Sequence, residues 1–124
     1  MKVAIFDTHK FEKEHFLRAN ENHGFKLEFL DVRLGEETSR LAAGFDVVCA
    51  FVNDRLNPVV LRNIREAGIR LLALRSAGFN HVDLAAAEKL GLPVVRVPEY
   101  SPYAVAEHAV AMMLTLNRKI HKSY

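Results

Sequence analysis

The sequence predicts an α/β domain: a parallel five-stranded sheet with helices on both faces, in the flavodoxin-like arrangement. Three observations predict it. Short apolar runs alternate with segments whose apolar residues recur at helical spacing. The run from Asp46 to Val52 is apolar without interruption after its first residue, as in a strand buried on both faces. Glycines (Gly24, Gly44, Gly68 and Gly91) follow the helical segments, where helix ends favour them.

Lys2-Val3-Ala4-Ile5-Phe6-Asp7 reads as the first strand. Phe11, His15, Phe16 and Ala19 then recur as one helix face, with Gly24 as a C-cap. Leu27, Phe29 and Leu30 make the second strand, and 34–44 reads as a shorter helix carrying Leu41 and Ala42. After the third strand comes the polar loop Asn53-Asp54-Arg55-Leu56-Asn57-Pro58, with Asn57 as N-cap and Pro58 in the first helical turn. Val60, Leu61 and Ile64 form the buried face of that helix. Leu71-Leu72-Ala73-Leu74 is the fourth strand; Asp83 caps an alanine-rich helix, and Pro93 to Val97 is the fifth strand.

The last segment differs in kind. Pro98-Glu99-Tyr100-Ser101-Pro102 is a rigid connection, with Ser101 as a cap and Pro102 as the first residue of a helix reaching about His121. Ala104, Val105, Val110, Met112, Met113, Leu114, Leu116 and Ile120 spread around nearly its whole circumference. A helix apolar all round needs cover all round, and one small domain covers one side. A second domain, a second subunit, or both are expected on the other.

Composition narrows the function. Half of the 124 residues are hydrophobic and 26% are charged, as in a soluble globular chain. A net charge of +2 gives no argument for nucleic acid or a membrane surface. Cys49, the single cysteine, lies in an apolar run and reads as a buried thiol; a reducing, cytoplasmic setting is expected. No histidine pair has i, i+4 ligand spacing, so no metal site is expected.

The chemistry is expected in Ser76-Ala77-Gly78, the small-residue turn after the fourth strand. Ligands of open α/β sheets bind at the carboxyl ends of strands. Successive N–H groups in such a turn suit an anion, so Ala77 and Gly78 are candidates to hold a substrate carboxylate. An ordinary strand-to-helix connection, with Gly78 supplying positive φ, accounts for the same residues.

Longer blocks carry a resemblance. Leu74-Arg75-Ser76-Ala77-Gly78-Phe79-Asn80, Val95 through Pro102, Ala106-Glu107-His108-Ala109 and Met112 through Arg118 resemble the NAD-dependent D-2-hydroxyacid dehydrogenases. The resemblance implies a two-domain enzyme that reduces a 2-keto acid with hydride from NADH. Residues 1–98 would be its substrate domain. Residues 99–124 would be the hinge and a long helix, the stretch 102–121 also packing in a homo-oligomer interface. It further implies that Ser76, Ala77 and Gly78 hold the substrate carboxylate, and that Tyr100 lines the cleft beside substrate and nicotinamide. The Asn53-Asp54 loop would border the same cleft.

The sequence departs from the family pattern by lacking any G-x-G-x-x-G fingerprint. The family's catalytic histidine, its acidic partner and its substrate arginine belong to the part beyond Tyr124, so no catalytic residue is expected here. His81 and His108 read as structural. A receiver-type signalling module is the rival, with Asp54 as phospho-acceptor beyond the third strand and Asp7 after the first. Strand five ends without the lysine such a site needs.

Overall fold

The computed structural model describes residues 1–122. Its strands are β1 (Lys2–Ile5), β2 (Lys26–Phe29), β3 (Val47–Ala50), β4 (Leu71–Leu74) and β5 (Val94–Arg96). They pair in the order β2-β1-β3-β4-β5, every pair parallel. That is the flavodoxin-like order, as the sequence predicts. Val3 lies between Leu27 and Val47, and Leu72 lies between Val48 and Val94. Because the strands run one way, their carboxyl ends share a single edge. Asp7, Asn53, Arg75 through Gly78 and Val97 through Tyr100 follow those ends.

Alternation along the strands divides the core. Ala4, Val48, Ala50, Leu72 and Leu74 face α2 (Pro58–Glu66) and α3 (Leu84–Lys89), packing with Val60, Leu61, Ile64 and Ala87. Full burial of a side chain such as Leu61 or Ile64 contributes about 1.5–3 kcal/mol. Both helices start where the sequence marks them. Asn57 accepts a hydrogen bond from the Val60 N–H at 3.0 Å, and Asp83 accepts one from the Ala86 N–H at 2.8 Å. Each side-chain acceptor satisfies an N–H that the first helical turn leaves without a carbonyl.

The opposite face is covered less. Val3, Ile5, Val47 and Cys49 pack with Phe16, Leu27 and Phe29 beneath α1 (Lys10–Asn20), none of whose residues is buried. A groove of about 260 Å³ runs beside this helix over Val3, Ile5, Cys49 and Ala73.

Three local expectations fail. Residues 34–44 do not form a helix but a loop with a short 3-10 turn, Ser39–Ala42. Thr38 Oγ1 donates to the Arg33 carbonyl at 2.6 Å, and Ser39 Oγ donates to that of Glu36 at 2.8 Å. These local bonds compete with a helical ladder. Ser101 stands before α4 (Pro102–Arg118), but its side chain makes no capping hydrogen bond. That helix also stops short of His121. Lys119 turns left-handed at φ 53°, and Ile120–Lys122 forms a separate 3-10 turn. Ser123 and Tyr124, which close the expected 99–124 segment, lie outside the described residues. No residue of α4 is buried, so the domain covers neither side of it.

Candidate functional site

The turn after β4 is built on an arginine whose side chain the rest of the sheet encloses. Arg75 follows β4 directly, and its side chain is 8% exposed. Its Nη1 donates to the Phe6 carbonyl at 2.8 Å and its Nη2 to that of Asp7 at 2.9 Å. Its Nε meets Glu12 of α1 at 3.2 Å, and the guanidinium lies 4.8 Å from the Phe51 ring centroid. A guanidinium with several donors ties strand ends together in a way a point charge does not. The backbone entering Ser76 is therefore fixed by the ends of two neighbouring elements.

The turn itself is held from the other side. Ser76 Oγ donates to the Gly78 carbonyl at 2.8 Å, and Arg96 Nη1 donates to the Ala77 carbonyl at 2.9 Å. The Val97 N–H donates to the Ser76 carbonyl at 3.2 Å. The three carbonyls of the turn thus have donors. The N–H groups of Ser76, Ala77 and Gly78 donate to no acceptor among the described residues. Gly78 does not lie at positive φ, so the connection is not explained by a left-handed glycine. A Cβ added there meets nothing within 4 Å. Carbonyls tied down and amides left open make a surface suited to an anion.

Tyr100 is 82% exposed at the same edge, and Phe79 stands beneath the Arg96 guanidinium at 5.3 Å. On the neighbouring strand end, Asn53 Nδ2 donates to Asp7 at 3.3 Å. Asp7 is a buried acid with left-handed backbone, φ 47°, and Arg33 lies 3.7 Å from its carboxylate.

Asp54 does not suit a phospho-acceptor. It is 1% exposed, and its two oxygens accept the Leu34 and Phe51 N–H groups at 2.7 Å each. Burial pushes its pKa up, and those two hydrogen bonds pull it back. It staples the 34 loop to the end of β3. His81 faces a depression of about 480 Å³ that also touches Asp54 and Asn57. Its Nε2 is buried without a hydrogen-bond partner among the described residues. His108 lies on exposed α4, away from the turn in sequence and in burial.

Sequence reasoning placed the turn and missed the two arginines that frame it. Arg75 and Arg96 stand inside the quoted motif blocks, but their acceptors are backbone carbonyls. The one available signal was a charged residue directly after an all-apolar strand, where burial demands partners.

Comparison with known proteins shows the family. The family model for "D-isomer specific 2-hydroxyacid dehydrogenase, catalytic domain" matches residues 3–122. The chain is 52% identical over its whole length to D-lactate dehydrogenase of Escherichia coli (strain K12), and spans 38% of that protein. It superposes on the apo-structure of D-lactate dehydrogenase from Escherichia coli with a TM-score of 0.86, covering all of this chain and 39% of that one. It superposes on D-lactate dehydrogenase with NAD+ from Lactobacillus jensenii with a TM-score of 0.74 at 34% identity, covering 97% of this chain and 37% of that one. The chain therefore spans little more than a third of the relatives it matches, and it belongs to the D-isomer specific 2-hydroxyacid dehydrogenases.

Proposed function

We propose that this chain is the substrate-holding part of an NAD-dependent D-lactate dehydrogenase, which reduces pyruvate to D-lactate with NADH. Residues 1–98 form the substrate domain, and 99–124 the hinge and the helix leading to the nucleotide-binding part. The observation that carries the reading is the turn of open amides at Ser76-Ala77-Gly78 on the carboxyl edge of the sheet. Extended similarity to D-lactate dehydrogenases supports the choice of substrate class.

The carboxylate of pyruvate accepts hydrogen bonds from Ala77 and Gly78, while Ser76 keeps the turn closed. Charge-assisted bonds of this kind are stronger than neutral ones. Fixing the carboxylate fixes the attitude of the adjacent carbonyl, and orientation is a large part of the barrier reduction. The exposed ring of Tyr100 closes one side of the cleft, next to substrate and nicotinamide. NAD supplies the hydride when bound. This chain offers it little else, because its two nearest glycines, Gly35 and Gly44, are too far apart for a dinucleotide cradle. The proton donor and the carbonyl-polarising arginine also belong outside residues 1–124.

The setting is cytoplasmic, which fits a single buried cysteine and a reducing compartment. No described helix is long and apolar enough to cross a membrane. Copies associate through α4, whose apolar residues have no cover among the described residues.

The test is Gly78→Val in the full-length enzyme. A Cβ at this position meets nothing within 4 Å, so the fold should hold. The branched valine side chain projects where the carboxylate would lie, and loss of a charged hydrogen bond costs about 1.5–3 kcal/mol, or about tenfold to a hundredfold in kcat/KM. NADH affinity should stay unchanged. Exposed Ala85→Val on α3 is the control. Normal pyruvate kinetics in folded Gly78→Val would place the carboxylate elsewhere.

A further inference from the structure

Arg96 is the last residue of β5 and lies on the surface. One nitrogen of its guanidinium, Nη1, donates to three carbonyls: Ala77 at 2.9 Å, Pro98 at 3.0 Å and Val97 at 3.2 Å. The guanidinium also stacks over Phe79 at 5.3 Å. These contacts join two segments that are otherwise bridged by a single backbone bond, from the Val97 N–H to the Ser76 carbonyl. One segment is the turn of open amides, and the other leads to Tyr100.

A peptide unit is planar, and in its trans form the C=O and the N–H point in opposite directions. The Ala77 carbonyl belongs to the same unit as the Gly78 N–H. A cation gripping that oxygen fixes the direction of that N–H. It also polarises the unit, so that the N–H becomes a better donor. The Pro98 carbonyl shares its unit with the Glu99 N–H, directly before Tyr100, so the same nitrogen sets the entry of the tyrosine segment.

We propose that Arg96 is a positioning residue for carboxylate recognition, aiming the Gly78 N–H through the Ala77 carbonyl and holding the Tyr100 segment against the same turn. This rests on the reading that the turn binds the substrate carboxylate. Arg96 does not touch the substrate; it acts through a peptide unit that does. The Ser76 hydroxyl does the equivalent for the next unit, since the Gly78 carbonyl it grips is paired with the Phe79 N–H.

The experiment uses the full-length enzyme with Arg96→Gln, Arg96→Lys, Gly78→Val and the double variant Arg96→Gln/Gly78→Val. Pyruvate KM, kcat, NADH dissociation constant and thermal midpoint are measured for each. Arg96→Gln should raise KM about tenfold with kcat nearly unchanged, the pattern of lost binding rather than lost chemistry. Arg96→Lys keeps a cationic donor and should recover part of the loss. The double variant should lose less than the two single losses combined, because both changes act on the Ala77–Gly78 peptide unit.

A wild-type KM in Arg96→Gln overturns the proposal. So does a parallel loss of kcat, NADH affinity and thermal midpoint, which marks a purely structural role. Additive losses in the double variant also overturn it. If Gly78→Val itself leaves pyruvate KM unchanged, the carboxylate reading has failed. If Gly78→Val raises KM and Arg96→Gln does not, only the role of Arg96 has failed.

Discussion

The guanidinium of Arg75 and the carboxylate of Glu12 meet at 3.2 Å, with side chains only 8% and 15% exposed. The same carboxylate accepts the His9 N–H at 2.9 Å and so caps α1 as well. One acid thus joins the start of a helix to the end of a strand 63 residues away.

Breaking this pair should cost more than a surface ion pair does. Arg75→Met takes the guanidinium from the Phe6 and Asp7 carbonyls and from Glu12 Oε1, leaving Glu12 only the His9 N–H. Removal of one partner from a buried pair costs about 3–5 kcal/mol. Glu12→Gln retains an oxygen for the cap and should cost less. Urea unfolding of the two variants checks the ranking. A loss below about 1 kcal/mol in Arg75→Met would put the contact in the class of exposed pairs.

His81 should make the fold sensitive to mild acid. Burial pushes its pKa below 6.5, and the nearby Asp54 charge pulls it back. The unfolded chain therefore takes up a proton at this position before the folded chain does. Stability contributed by neutral His81 is present above about pH 6.5 and is lost as pH falls below it. His81→Asn removes the titration. Denaturation measured from about pH 7.5 to about pH 5.5 should show a shallower fall in the variant, and equal slopes would exclude His81 as a source.

Association through α4 should be directly visible. Met113 is 61% exposed, Leu114 53% and Leu116 64%, an apolar surface of the kind that marks an interface. Sedimentation of the 124-residue chain should show dimers or larger species, and Met113→Glu with Leu116→Lys should shift them towards monomer. A soluble wild-type monomer at high concentration would contradict this.

The 124-residue chain should be silent as a catalyst. In the proposed reading its residues supply the carboxylate turn, and its sequence has no G-x-G-x-x-G fingerprint. NADH absorbance followed with pyruvate should match a buffer control. Turnover from a preparation free of host dehydrogenase would show that the chain holds more of the machinery than we assign to it.

The sheet was legible because a doubly covered parallel strand needs apolar residues on both faces, and 46–52 and 71–74 have them. Asn57 and Asp83 were legible because capping is a contact across three residues. The turn at Ser76-Ala77-Gly78 was legible as a place, the connection that follows the fourth strand, and the role we propose for it rests on family resemblance. Arg75 was not, since its carbonyl partners lie 68 and 69 residues away and carbonyls leave no mark in a sequence. The 34–44 segment misled because Leu41 and Ala42 mimic a helix face, while Thr38 and Ser39 spend their hydroxyls on local carbonyls. The end of α4 misled because Lys119, not a glycine, adopts the left-handed turn.

Cys49 gives the thinly covered face of the sheet its own reporter. The residue is 7% exposed beside the groove at α1, and burial pushes the pKa of its thiol up, which keeps the reactive thiolate scarce while the helix is seated. Because α1 buries none of its residues fully, it should lift off at a smaller free-energy cost than the strands beneath it. The rate at which a thiol reagent consumes this one cysteine is then a clock for that opening. The molecule needs no added label for its least secured layer to be timed against its core.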